Sequence, residues 1–148
     1  FDAVRIIGDA LLLLRHDLRA KNCEMSFEHP GGGVDLSGVP GRLVQVVSNL
    51  VGNAIDASAG RGGGPIRVEL TPHEQGVDLR ISDSGSGISS HVLPKIFEPM
   101  FTTKPFGEGT GLGLTIVHDI VTGEFGGTID VTSREGQGTT FILRFPRP

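Results

Sequence analysis

The stretch Ile66-Arg67-Val68-Glu69-Leu70-Thr71-Pro72-His73-Glu74-Gln75-Gly76-Val77-Asp78-Leu79-Arg80-Ile81-Ser82-Asp83 contains two runs in which apolar and polar residues alternate. A period of two belongs to a strand with one buried face, so Ile66, Val68 and Leu70 share a face, as do Val77, Leu79 and Ile81. The short polar segment between the runs suits a hairpin and predicts antiparallel pairing. On the N-terminal side, the turn Gly60-Arg61-Gly62-Gly63-Gly64-Pro65 ends a helix expected from about 40 to 58. Leu43, Val47, Leu50 and Ala54 form its apolar stripe, and Gln45, Asn49, Asn53 and Asp56 lie on the other side. Further upstream, Val4, Ile7, Ala10, Leu11, Leu14 and Leu18 recur at helical spacing and predict one amphipathic helix over 2–21. Met25 and Phe27 alternate with polar neighbours. The break Pro30-Gly31-Gly32-Gly33 then separates them from Val34-Asp35-Leu36, a candidate short strand. Downstream, an irregular stretch from about 84 to 110 precedes a helix from Leu112 to Val121. Two further strands, Thr128 to Thr132 and Thr139 to Phe145, join through Glu135-Gly136-Gln137-Gly138. The simplest packing is a single α+β domain over 1–148, a two-layer α/β sandwich in which a mixed, mostly antiparallel sheet is covered on one face by three helices.

Composition narrows the function classes. The chain has 148 residues, of which 37% are hydrophobic, and its 13 basic and 17 acidic residues give a net charge of -4. The basic residues are scattered, so no electrostatic footprint for nucleic acid is present and nucleic acid is not expected as a partner. The longest apolar run, Ala10 to Leu14, falls far short of the roughly 20 residues a membrane helix needs, so no direct membrane contact is expected. One cysteine, Cys23, excludes an internal disulfide and is expected in the core. With no signal-peptide pattern at the start, a reducing, cytoplasmic location is expected for this domain, with membrane anchoring of a parent protein left open. Glycine is abundant, at 23 residues, about twice the usual share of roughly 7%. The glycines cluster at 60–64, 85–87, 107–113 and 136–138 and so mark particular loops.

Three blocks carry chemistry. Asn49 and Asn53 are one helical turn apart, so their amides can present oxygens to a hard cation or donors to phosphate; the same pair also occurs on ordinary exposed helix faces. Asp83 ends a strand, and Gly85 and Gly87 after it let a backbone approach closely; the segment reads either as a carboxylate accepting from an exocyclic amine or as a plain Asp-Ser-Gly turn. Gly107, Gly109, Gly111 and Gly113 alternate just before a helix, where free amides favour an anion, or form a surface loop. Lys21, Lys95 and Lys104 never follow glycine and no Gly-x-Gly-x-x-Gly occurs, which excludes a P-loop and a dinucleotide-binding turn. An irregular stretch as long as 95–110 inside a domain is expected to be a functional lid.

Taken together, these residues resemble the ATP-binding catalytic domain of bacterial sensor histidine kinases, within the superfamily that includes gyrase, the heat-shock chaperone ATPase and mismatch-repair ATPases. Asn49-Leu50-Val51-Gly52-Asn53-Ala54 is similar to the family's N box and Asp83-Ser84-Gly85-Ser86-Gly87-Ile88 to its G1 box. Ile96-Phe97-Glu98-Pro99-Met100-Phe101-Thr102-Thr103-Lys104 resembles the F box, Gly109 to Leu114 the G2 box, and Gly136-Gln137-Gly138-Thr139-Thr140-Phe141 the last glycine box. The resemblance implies the Bergerat ATP-binding fold and ATP with Mg2+ as cofactors. Asn53 would hold the metal with Asn49 beside it, and Asp83 would bind the adenine amino group within the pocket of Gly85, Gly87 and Ile88. Thr139 would support the adenine side through water, and Gly109, Gly111, Leu112 and Gly113 would cradle phosphates. Residues 97–110 would be the ATP lid, anchored by Phe97 and Phe101, with Lys104 reaching the terminal phosphate.

The superfamily's ATP-hydrolysing members and serine kinases resemble one another in carrying a glutamate one turn before the metal asparagine. Here that position is Asn49, and an amide cannot act as a general base at neutral pH. Neutral imidazole is already nucleophilic, so positioning ATP and neutralising charge suffices for transfer to histidine. The resemblance makes Asn49 and Lys104 the candidate catalytic residues. Arg15-His16-Asp17-Leu18-Arg19 superficially resembles the family's H box, yet that box starts a long dimerisation hairpin. Here the next helix begins near residue 40, and the usual proline is absent after His16, so His16 is not expected to be the acceptor. His29, His73, His91 and His118 lack any surrounding motif. The expected partners are a dimerisation and histidine phosphotransfer domain of the same parent kinase, absent from 1–148, and the receiver domain of a response regulator. Two other readings are a nucleotide-binding regulatory module of a degenerate kinase, including an anti-sigma type of interaction domain, and an ATP-hydrolysing conformational switch.

Overall fold

The computed structural model describes residues 1–98 and 113–148. Helix α1 (Ala3–Leu13) starts at Asp2, whose carboxylate accepts from the Val4 backbone N–H at 3.0 Å and so satisfies a free donor of the first turn. The same carboxylate accepts from the Val34 N–H at 3.1 Å, tying the helix start to the distant loop. The single helix expected over 2–21 breaks at Leu14, and α2 (Arg15–Ala20) follows. In Leu11-Leu12-Leu13-Leu14 apolar residues run all round the helix, so the pattern marks no one face there. The break leaves Leu12 and Leu13 outside and brings Leu18 into the core.

Strand β1 (Cys23–Glu28) buries Cys23, which is a free thiol. It pairs in parallel with β2 (Gly64–His73), and a parallel pair needs a long crossover. Helix α3 (Pro40–Ala59) supplies it, with proline at its first position, where the missing N–H costs nothing. Its buried face is wider than the four-residue stripe in the sequence, adding Val46, Val51, Ile55 and Ser58, because α1 and α4 flank it while the sheet lies beneath. Val34 and Leu36 are buried, but only Asp35 makes a strand-like bridge, to Asp2, so the expected short strand is a single bridge.

The expected hairpin is present: β2 and β3 (Gly76–Asp83) pair antiparallel with Leu70 opposite Leu79. The second hairpin joins β4 (Thr128–Arg134) to β5 (Gly138–Pro146), and β5 also pairs antiparallel with β3. The five-stranded sheet runs β1-β2-β3-β5-β4 and is mixed but mostly antiparallel, as expected. Helix α4 (Gly113–Asp119) passes into a π-helical turn, Ile120–Glu124, closed by the Phe125 N–H to the Ile120 carbonyl. This longer turn allows both Val121 and Phe125 to face the core. Among the described residues, no helix is long and apolar enough to cross a membrane.

The register stacks inward side chains in rows across the sheet. Leu70, Leu79, Leu143 and Ile129 form one row, and Val68, Ile81, Phe141 and Val131 form the next. Leu79 and Val68 are fully buried and Phe141 nearly so. One row further along, Ile66 on β2 still belongs to the core, but on β3, β5 and β4 the chemistry changes to Asp83, Thr139 and Ser133. On these three strands the core ends in a polar row.

The Ser58 hydroxyl is buried without a hydrogen-bond partner among the described residues. An unsatisfied buried hydroxyl costs free energy and alanine is the better helix former, so Ser58→Ala is expected to raise unfolding stability by about 1 kcal/mol. Denaturant unfolding checks this, and a lower stability would contradict it.

Candidate functional site

Asn49, Asn53 and Ala57 follow one another at one-turn intervals along α3, about 6 Å apart along its axis. Each end of this series is docked to another segment. At Asn49, the side-chain Nδ2 donates to the Gly113 carbonyl at 3.4 Å, where α4 starts. At Ala57, the carbonyl accepts from the Ser86 N–H at 3.2 Å, and a Cβ on Gly85 would lie 2.6 Å from the Ala57 carbonyl carbon. Any side chain at Gly85 would push the Asp83–Ile88 loop off the helix. Asn53 lies midway between, half-buried, and its amide makes no hydrogen bond among the described residues.

The loop after β3 is held from its other side as well. The Gly136 N–H donates to the Ser86 carbonyl at 2.7 Å, and the Arg61 guanidinium donates to the Gly136 carbonyl. Helix α3, the loop and the β4–β5 turn thus form a closed hydrogen-bonded ring running Ala57, Ser86, Gly136, Arg61. Gly87 has a φ of 73°, and a Cβ there would sit 2.0 Å from the Arg134 carbonyl oxygen, so glycine is needed for the close approach to β4. The Ile88 N–H donates to Ser133 Oγ at 2.8 Å.

Asp83 stands at the end of β3, opposite Thr139 on β5. Burial pushes its carboxyl above the ordinary value of 3.8, opposed by backbone hydrogen bonds from Gly85 and Thr139. The Gly85 N–H reaches Oδ1 at 2.8 Å. Here is a half-buried carboxylate whose charge is stabilised, among the described residues, by two backbone donors, an environment suited to a ligand N–H. Thr139 is buried, and its Oγ1 lies 2.8 Å from Ser133 Oγ.

Ahead of residue 99, Phe97 seats its ring against His118 (5.4 Å between centroids) and edge-on to Phe141 (6.5 Å), while Thr115 Oγ1 donates to the Phe97 carbonyl at 3.0 Å. The segment entering the expected lid is therefore pinned to α4 and to the core. Lys104, Phe101, Gly109, Gly111 and Leu112 lie outside the described residues. Of the others, the structure gathers Asn49, Asn53, Asp83, Gly85, Gly87, Ile88, Gly113 and Thr139 around α3 and the polar row. His16 is exposed on α2. His73 pairs with Asp78 at 2.9 Å on the outer sheet face.

Sequence reading did not single out Ser133, Arg61 or Thr115. Ser133 was reachable by extending the alternation of Ile129 and Val131 by two residues. Arg61, in a glycine-rich turn, has no local signal, since its partner is 75 residues away.

The profile of the histidine kinase-, DNA gyrase B- and HSP90-like ATPases matches residues 38–148. The chain is 41% identical over 145 residues to the sensor histidine kinase ZraS of Escherichia coli strain K12, covering 98% of this chain and 30% of that protein. It is 38% identical over 151 residues to the two-component sensor PprA of Pseudomonas aeruginosa, covering 99% of this chain and 16% of PprA. The chain thus spans less than a third of these curated relatives. Among solved structures, the nucleotide-free catalytic domain of histidine kinase ThkA superposes with a TM-score of 0.87 at 33% identity, over 99% of this chain and 93% of that one. With the family profile spanning most of the chain and a catalytic domain matched nearly end to end, this protein belongs to the histidine kinase-, DNA gyrase B- and HSP90-like ATPase family, as a catalytic domain of the sensor histidine kinase type.

Proposed function

We propose that the domain binds Mg-ATP between α3 and the polar row and donates its γ-phosphoryl group to a histidine on the dimerisation domain of its parent kinase, from which a response regulator aspartate receives it. The observation that carries this reading is the place of Asn53, midway between the glycine that opens α4 and the loop that carries Asp83. A nucleotide with its base at Asp83 and its phosphates toward Gly113 passes beside Asn53.

The residues fit the groups assigned to them. The Asn53 amide is committed to no neighbour among the described residues, and its oxygen is a ligand suited to a hard cation. Magnesium, when bound, would neutralise phosphate charge there. Asp83 accepts from the adenine amine and leaves a carbonyl-bearing base without a partner. Gly113 offers a backbone donor to phosphate, and the resemblance assigns the same role to Gly109, Gly111 and Leu112 and the terminal phosphate to Lys104, all outside the described residues. Asn49 donates to the Gly113 carbonyl, so it latches the start of α4 and supplies no base. Transfer then depends on positioning and charge neutralisation, with the nucleophile coming from the acceptor imidazole.

Asn53→Ala is expected to abolish magnesium-dependent ATP binding with the fold intact; unchanged affinity by calorimetry would reject the role of Asn53. Asp83→Asn is expected to weaken ATP by about 1.5 to 3 kcal/mol, the worth of a charge-assisted hydrogen bond. Its pH dependence has a definite sign. The Asp83 carboxyl is raised in the folded state, so its ionised form costs stability, a cost that appears as pH climbs from 3.8 through the raised value. The apo Asp83→Asn variant is therefore expected to be at least as stable as the parent at neutral pH, with any gain vanishing in acid. ATP affinity of the unsubstituted chain is expected to fall as pH drops through the same window, a step absent from the variant. Finally, the isolated chain is expected to turn over little ATP until a dimerisation domain is added; appreciable hydrolysis without an acceptor would favour a conformational ATPase.

A further inference from the structure

We propose that Ser133 is a positioning residue that sets the hydrogen-bond polarity of Thr139, and through it the preference of the base site for a 6-amino over a 6-oxo purine. This rests on the nucleotide reading above and goes beyond it, since it assigns selectivity to a residue on β4 outside every motif read from the sequence.

The argument is a count of protons. A serine hydroxyl has one proton to donate and two lone pairs to accept with. Among the described residues Ser133 Oγ has three hydrogen-bond partners: the Ile88 N–H at 2.8 Å, the Gly138 carbonyl at 3.0 Å and Thr139 Oγ1 at 2.8 Å. The Ile88 N–H can only donate, and the Gly138 carbonyl can only accept. All three contacts are satisfied together in one arrangement alone, with the Ser133 proton on the Gly138 carbonyl and the Thr139 proton on Ser133. The Thr139 hydroxyl then has lone pairs only for anything else that meets it.

Register places the consequence. Asp83, Thr139 and Ser133 are directly opposite one another on β3, β5 and β4, on the face covered by helices. Thr139 is 6% exposed, so bulk water has little access to reverse the arrangement. Its neighbour Asp83 has a half-buried carboxylate that also accepts. Two adjacent acceptors line this edge of the base site, Asp83 directly and Thr139 through a water that must donate to it. An exocyclic amine is welcome there, whereas a carbonyl oxygen is left against lone pairs. Removing the Ser133 hydroxyl frees the Thr139 proton to turn outward and serve a carbonyl.

The test measures Mg-ATP and Mg-ITP affinity of the chain by calorimetry, inosine differing from adenosine at this edge. Ser133→Ala is expected to lower the ATP:ITP preference by about threefold to tenfold, with ATP weakened and ITP not. Ser133→Thr, which restores the hydroxyl, is expected to keep the parent preference. Thr139→Val is expected to lower the preference as well, and Ser133→Ala added to it should change the ratio no further, because Ser133 acts through Thr139. Equal weakening of both nucleotides in Ser133→Ala, or independent effects in the double variant, would show mere structural support and overturn the assignment. Should Ser133→Ala fail to fold, an unchanged ratio in Thr139→Val overturns it too. An unsubstituted chain that binds neither nucleotide overturns the underlying reading instead, so the two failures are told apart.

Discussion

The structure depends on the register of β3 against β5. Because Leu79 meets Leu143 and Ile81 meets Phe141, the helix-facing side of the sheet is filled row by row, and the next step along the strands brings Asp83 opposite Thr139. A slip of one residue would exchange the two faces of the sheet, burying Arg80 and Ser82 and turning Asp83 outward. The apolar rows thus do more than supply burial energy. They fix the height at which the first polar row emerges from the core.

Helix α3 supplies the second coordinate. It packs across the sheet through a wide apolar face, and the margin of that face carries Asn49, Asn53 and Ala57 as regularly spaced marks. The start of α4 is tied to the first and the loop after β3 to the last, so the separation of these two segments follows the rise of the helix. The ring through Ser86, Gly136 and Arg61 then prevents the loop from drifting away from α3. Each bond is modest alone, worth about 1 kcal/mol net. Closing them into a ring means that the loop cannot leave by breaking one.

Charge is handled economically at this end of the molecule. The carboxylate of Asp83 is partly withheld from water, which raises its proton affinity, and among the described residues two backbone N–H groups offset that. A fully satisfied carboxylate would be more stable and less useful. The neighbouring hydroxyls have no such deficit, since Ser133 and Thr139 satisfy one another and the backbone around them. The site therefore combines one under-served acceptor with a hydroxyl pair of settled direction.

What the residue order determined by itself was local and periodic. Alternation in Ile66–Leu70 and Val77–Ile81 was enough for the hairpin, because a strand's two faces differ in burial whatever lies beyond. Helical spacing was enough for α3, and the ordered glycine and asparagine blocks for the family. Leu11–Leu14 misled, because an all-round apolar run carries no phase from which a break at Leu14 could be read. The parallel pairing of β1 with β2, the ring closed by Arg61 and the three bonds at Ser133 belong to the tertiary structure alone. The strand pairing, the Arg61 bond and the Ile88 bond to Ser133 join residues far apart in the chain, and the bonds from Ser133 to Gly138 and Thr139 cross a hairpin; a hydrogen bond is set by position and direction in space, which no run of neighbouring residues encodes.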